Sequence, residues 1–254
     1  MSDELVHYAV ANGVATVTLD SPRNRNALSA QLRRELSAHL DSAMSDTAVR
    51  VIVLAHTGEV FCSGMDLKEA RGSGNATEFP AILEKLWRSP TPVVAKLAGP
   101  ARAGGVGLIA ACDIAVAAKE ATFAFTEVRI GVVPAVISVT VLPRLLPRAA
   151  HELFLTGETF DAQRAAAVGL VNSTVHADGL DDEVRRYTDM LCLGAPNAMA
   201  ATKQLLRQSR PAELSESFAA MQRLSAKHFA SEEGQEGIAA FAEKRRPNWV
   251  PVRD

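Results

Sequence analysis

Three short stretches of this sequence carry residue types that could do chemistry together. The first is Phe61-Cys62-Ser63-Gly64-Met65-Asp66-Leu67-Lys68. The apolar run Val51–Ala55 lies upstream, and a glycine turn precedes Asp66, where a short helix is expected to open. Backbone N–H groups at such a turn suit an anionic oxygen, because donors at a helix start are unpaired and sit at the positive end of the peptide dipoles. The second stretch runs from Ala98 to Gly107, where Gly104 and Gly105 have no side chain to hold a ligand off the backbone. The third is Thr126-Glu127-Val128-Arg129-Ile130-Gly131-Val132-Val133-Pro134, a carboxylate set among apolar residues directly after an apolar strand. Desolvation raises a carboxyl pKa towards the range where it both donates and accepts protons at neutral pH. Taken singly, each stretch has an ordinary reading: a βα turn, a close-packed helix start, and a surface Glu127–Arg129 pair. Together they amount to an oxyanion hole with a general acid–base.

Other candidates are weaker. Residues 105–110, Gly-Val-Gly-Leu-Ile-Ala, fit the dinucleotide pattern G-x-G-x-x-A, but the helix is about two turns long and the pattern lies mid-chain. Cys62 borders the first donor turn without an adjacent histidine to activate it, which fits a packed thiol better than a nucleophile. Trp87 could line a pocket or cover the core. Arg102 could meet a substrate carboxylate or lie on the surface. Cys62, Cys112 and Cys192 are far apart and show no C-x-x-C spacing, and the six histidines contain no H-x-x-x-H pair, so neither a disulfide framework nor a metal site is expected.

The elements that must position these residues follow a β-then-α rhythm. Gly13–Asp20 alternates like a half-buried strand, and Ser29 can cap a helix to about Met44 with Leu32, Leu36 and Leu40 on one face. Val51–Ala55, Pro92–Ala98, Asp113–Ala117, Thr122–Phe125 and Gly169–Val175 read as further strands. Helices are expected over Gly104–Ala111, Ile137–Leu146, Arg148–Leu155 and, capped by Asp161, to Val168; Arg71–Asn75 reads as a mobile loop. From about Leu180 to Lys244 the pattern is helical, broken near Pro196 and Pro211. The chain therefore divides into an α/β core over 1–195 and a helical oligomerisation region over 196–254, with the site in loops at strand ends.

Composition excludes other classes. The 254 residues carry 29 acidic and 27 basic side chains, a net charge of −2, with 48% hydrophobic residues. One globular domain with a large core fits those numbers. The near-neutral balance, with no basic run longer than Lys244-Arg245-Arg246, argues against nucleic acid. No apolar stretch is long enough to span a membrane. Met-Ser-Asp-Glu opens with acids where a signal peptide needs a basic region, so a cytoplasmic protein is expected.

The ordered set Asn26-Ala27-Leu28, Phe61–Lys68, Gly104–Asp113, Glu127–Pro134, Leu155-Thr156-Gly157, Ala165–Val171, Glu236-Gly237 and Phe241–Arg245 resembles the enoyl-CoA hydratase/isomerase, or crotonase, superfamily over nearly the whole chain. The resemblance implies an α/β spiral of ββα units with a C-terminal all-helical trimerisation region, assembled as a homotrimer or a hexamer. It implies an acyl-CoA thioester substrate and no separate cofactor, coenzyme A being part of the substrate. On the matching positions, the N–H groups of Met65 and Gly104 would hold the thioester oxygen. Ala27, Ser63 and Met65-Asp66-Leu67-Lys68 would line coenzyme A, while Arg23 and Lys244 would meet it as cations. Glu127 falls on the second of the two glutamates of typical hydratases.

Gly107 stands where the first of those glutamates is expected, so a mechanism with two carboxylates is not open to this chain. Two readings remain. The run Glu127–Ser138 is similar to hydratases of branched glutaconyl-CoA esters, which implies water addition with Glu127 as single acid–base. Family isomerases that move a 3-enoyl double bond to the 2-position are also similar, and use one carboxylate. A lapsed acyl-CoA-binding relative is the non-enzymatic alternative.

Overall fold

The computed structural model describes residues 4–70, 78–208 and 214–248. The expected mobile loop and the break near Pro211 lie outside these residues. In chain order the strands are β1 (Val6–Ala11), β2 (Val14–Leu19), β3 (Val51–His56), β4 (Val93–Leu97), β5 (Ala101–Arg102), β6 (Ile114–Ala118), β7 (Thr122–Ala124), β8 (Phe160–Asp161) and β9 (Ser173–Val175). The helices are α1 (Ala30–Ser45), α2 (Leu67–Ala70), α3 (Glu78–Arg88), α4 (Gly104–Ala111), α5 (Ala135–Val141), α6 (Pro147–Thr156), α7 (Ala162–Ala167), α8 (Leu180–Cys192), α9 (Pro196–Gln208), α10 (Leu214–Phe229) and α11 (Glu232–Ala242).

A six-stranded sheet in the order β1-β2-β3-β4-β6-β9 is parallel except for the β1–β2 hairpin, and β5-β7-β8 form a small second sheet. The hairpin turns at Asn12-Gly13, both with positive φ (52° and 77°), the geometry that Asn-Gly favours in two-residue turns. The large sheet is covered on both faces. Along β3, Ile52 and Leu54 point to the main core with Leu32, Leu36 and Leu40 of α1, while Val51, Val53 and Ala55 point to the layer closed by Leu180 and Val184 of α8. That two-sided burial explains the unbroken apolar run. Ser29 caps α1 by accepting a bond from Leu32 N at 3.2 Å, and Asp161 caps α7 by accepting from Arg164 N at 2.7 Å.

Two boundaries differ from expectation for local reasons. The last strand begins at Ser173, because Gly169, Leu170 and Val171 turn back to close α7, with Leu170 N and Val171 N both donating to Ala165 O. Helix α5 spans Ala135–Val141; Leu142 keeps helical geometry (φ −57°, ψ −36°) and donates to Ser138 O, and the ladder stops at Pro143, which has no N–H to donate.

All eight residues of α4 are buried, which suits a helix apolar on every side. Its far end is closed by Arg144, which donates to Ala110 O (3.0 Å) and Cys112 O (2.9 Å). A cation there meets carbonyls that no helix N–H can reach. The helical region is docked on the core. Lys203 of α9 pairs with Asp113 at 2.5 Å and donates to Thr91 O at 2.8 Å, and Phe218 of α10 joins the main core cluster. A Cβ at Gly237 of α11 would stand 2.2 Å from Ile130 O, so that helix lies backbone to backbone on the turn that carries Glu127.

Candidate active site

Both donor turns are built by chain segments that touch. After β3 the chain pairs at Cys62 with Ala101 of β5 in a parallel bridge, and Arg102 N donates to Cys62 O at 2.9 Å. Gly64 has φ +93°, and a Cβ there would meet Ala103 Cβ at 3.0 Å, Arg102 O at 3.3 Å and Gly104 N at 3.4 Å. The turn leading to Met65 therefore lies against the start of α4. Any side chain at Gly105 would strike Cys62 O at 2.6 Å, so the glycines serve packing between the two turns as well as access to the backbone. Among the described residues, neither Met65 N–H nor Gly104 N–H donates to a protein acceptor. Gly104 also opens α4, where the helix dipole adds to its pull on an anion.

Glu127 lies in a 3-10 turn, Thr126–Ile130, three residues beyond β7. That strand is held to the second donor turn by β5–β7 pairing and by Ala103 N donating to Ala124 O at 3.1 Å. The surface pair with Arg129 does not form; Arg129 instead donates to Thr156 O at 3.2 Å. Glu127 Oε2 is fully shielded and has no hydrogen-bond partner among the described residues. Burial pushes the carboxyl up to about 7, with its own backbone N–H pulling weakly the other way. An orphaned buried carboxyl oxygen is costly and persists where it has a task. Near neutral pH both protonation states are populated, which a group that accepts and then returns a proton requires.

At Gly107 the structure gives a reason why no carboxylate stands there. A Cβ would lie 2.6 Å from Ile137 Cγ2 and 3.1 Å from Ile137 Cβ. Ile137, 3% exposed, fills the space from α5, and Thr140 Oγ1 of the same helix donates to Gly107 O at 3.2 Å. Nothing in the spacing of α5 marked Ile137 for this place, because the contact is tertiary.

The remaining expectations sort by contact. Cys62 is fully buried and its thiol is pushed up to about 12 by burial, so it is a packed residue without thiolate character. Arg102 is half-buried and donates to Ala101 O (2.9 Å), Thr122 O (2.6 Å) and Thr122 Oγ1 (2.8 Å), bonds that hold its guanidinium against β7. Trp87 has the Arg144 guanidinium 4.8 Å from its ring centre, at the end of α4 away from Gly104. Asn26 is a further polar residue that ties this loop region together. It is fully buried with φ +52°, accepts from Ser21 N (2.7 Å) and donates to Thr57 O (3.1 Å) and Val60 O (2.8 Å). A polar residue able to adopt left-handed geometry, set in a turn, was the available signal.

The sequence profile of the family described as enoyl-CoA hydratase/isomerase matches residues 9–251. The chain belongs to that family. Carnitinyl-CoA dehydratase of Proteus mirabilis is 34% identical over 260 residues, covering 98% of this chain and 99% of the relative. A crystal structure of an enoyl-CoA hydratase from Mycobacterium avium superposes with a TM-score of 0.86 at 44% identity, over 98% of this chain and all of that one. Methylmalonyl-CoA decarboxylase superposes at 0.85 with 29% identity, over 99% and 100%. The chain thus has the crotonase-type fold and is an acyl-CoA enzyme of the enoyl-CoA hydratase/isomerase family. Of the positions expected from the family to meet coenzyme A, Arg23 and Lys68 are exposed, Lys244 is exposed just past α11 with φ +55°, and Ala27 is buried. Ser63, Met65, Asp66 and Leu67 are half-buried, and Asp66 opens α2 by accepting from Lys68 N at 3.0 Å.

Proposed function

We propose that this enzyme adds water to the double bond of a 2-enoyl-CoA thioester, with Glu127 as its single acid and base. The shielded, unpartnered Oε2 of Glu127, on a carboxyl raised to about 7, carries the reading. In this mechanism the N–H groups of Met65 and Gly104 receive the thioester oxygen. Ionised Glu127 orients a water and takes its proton as the hydroxyl bonds to C3. The double-bond electrons move into the enolate held by the two donors. Glu127 then returns the proton to C2, so one water is consumed and the carboxylate is regenerated. Donors of this kind are worth about 10²–10³ in rate, because they are already oriented where the charge appears.

Arg23, Lys68 and Lys244 are assigned to the phosphates of coenzyme A, and Ala27, Ser63, Asp66 and Leu67 to its remaining contacts. Similarity over Glu127–Ser138 supports a branched, glutaconyl-type acyl group. A homotrimer or a pair of trimers in the cytoplasm is the assigned working form, supported by the exposed Leu155, Leu193, Leu205 and Phe241.

The contact of Ile137 with Gly107 favours a second reading, transfer of one proton from C2 to C4 of a 3-enoyl-CoA, which needs one carboxylate only. Incubation with 2-enoyl-CoA and 3-enoyl-CoA esters, read by mass and chromatography, separates the two. Gain of a water supports the hydratase, and conversion without mass change supports the isomerase. Binding without turnover of either ester overturns both and leaves an acyl-CoA-binding protein.

A further inference from the structure

Ladder pairing between β3 and β4 runs from Ile52–Val93 to Leu54–Ala95 and then stops. Parallel pairing resumes only at Cys62–Ala101. Between these points both strands lead into the loops that carry the donor turns, Thr57–Ser63 on one side and Ala98–Arg102 on the other. The loops run close, since a Cβ at Gly99 would sit 1.9 Å from Glu59 O, and Phe61 N donates to Pro100 O at 2.9 Å.

The side chain that spans the unpaired stretch is His56. Its Nε2 accepts the backbone N–H of Ala98 at 3.0 Å, and its Nδ1 lies 3.2 Å from Thr57 O. An acceptor at Nε2 and a carbonyl at Nδ1 together select the neutral ring with its proton on Nδ1. Phe61 packs edge-on against the ring, with centroids 5.5 Å apart. Asn26 ties the same loop from its other side through Thr57 O and Val60 O.

We infer that His56 is a positioning residue for the donor pair: its ring replaces the missing backbone ladder between β3 and β4 and sets the spacing of Met65 N–H and Gly104 N–H. The inference rests on the oxyanion reading above. Its physical basis is that preorganised donors act only at the correct separation, and a displacement of about 1 Å can cost about 10²-fold in rate.

The test uses the full-length enzyme and butanoyl-CoA carrying ¹³C at the thioester carbonyl, whose infrared stretch reports polarisation by the two donors. Wild type should shift the band to lower frequency. His56→Ala should lose most of that shift and lower kcat about ten- to a hundredfold with KM changed much less. His56→Gln, whose amide oxygen can again accept the Ala98 N–H, should recover both. Circular dichroism at the assay temperature checks that each variant is folded; should His56→Ala fail to fold, His56→Gln and His56→Asn still differ in reach and are compared alone. A full band shift and unchanged kcat in folded His56→Ala, or equal behaviour of the Gln and Asn variants without recovery, overturns the role of His56. Absence of any shift in wild type overturns the oxyanion reading instead.

Discussion

Gly107 and Ile137 form a pair whose coupling can be measured. Gly107→Glu places a Cβ 2.6 Å from Ile137 Cγ2, well inside contact distance. Overpacking of this sort costs about 1–3 kcal/mol, offset by about 0.5–1 kcal/mol because glycine is a poor residue inside a helix. The new carboxyl would also be buried without a partner, which adds to the cost. Ile137→Ala, at a site only 3% exposed, removes packing worth about 2–5 kcal/mol. In the double variant the space vacated by Ile137 receives the glutamate, so the two penalties overlap. Urea unfolding of the four proteins should therefore show the double variant more stable than the sum of the single changes predicts, by at least about 1 kcal/mol. Additivity within about 0.5 kcal/mol would refute the reasoning that Ile137 is what excludes a side chain at Gly107. In the rate profile, the double variant should show two macroscopic ionisations where wild type shows one, because two carboxyls would then share the site.

Three other outcomes follow from the same geometry. The Glu127 carboxyl is raised from 4.5 to about 7 in the folded chain, so the native state holds its proton more tightly, and the stability it contributes is present below about pH 4.5 and lost as pH rises through 7. The permanently neutral Glu127→Gln should accordingly be more stable than wild type at pH 8, by about 3 kcal/mol at most, and equal to it near pH 4; thermal unfolding across that range checks the sign. Asn26→Asp replaces the two side-chain N–H donors to Thr57 O and Val60 O with an acceptor, and should lower stability by about 2–3 kcal/mol in urea. Buried Cys62 and Cys112 should resist a thiol reagent in the native protein while the half-buried Cys192 reacts, as read by peptide mass; rapid native labelling of Cys62 would contradict its packed assignment.

Much of this site was legible because its signals are local. A glycine turn after a buried strand, a glycine-opened apolar helix and a glutamate among valines and isoleucines can each be recognised within ten residues of chain. The family stretches also occur in a set order along the chain, which makes Met65, Gly104 and Glu127 candidates from sequence alone. The β1 strand was not expected, although Asn12-Gly13 is a strong hairpin signal, because Val6–Ala11 is mostly exposed and shows little apolar alternation. Ile137, His56 and Arg144 are not legible in sequence for another reason. Ile137 matters because Gly107 lies beneath it, His56 because β3 and β4 cease to pair beside it, and Arg144 because the carbonyls of Ala110 and Cys112 end a helix there. These relations join residues 30 to 42 positions apart and have no expression in periodicity or spacing. Arg102 shows the converse limit: its place in the motif was visible, but its commitment to Thr122 was not.

The claim at the centre of this account is that Glu127 alone moves the proton. The most direct test is the pH dependence of kcat/KM, measured on whichever enoyl-CoA ester turns over, for wild type and Glu127→Gln. Wild type should inflect near pH 7, the range to which burial raises the carboxyl, and Glu127→Gln should fall by at least about 10²-fold and lose that inflection. Full activity in Glu127→Gln, or the same inflection persisting without the carboxyl, would contradict the account.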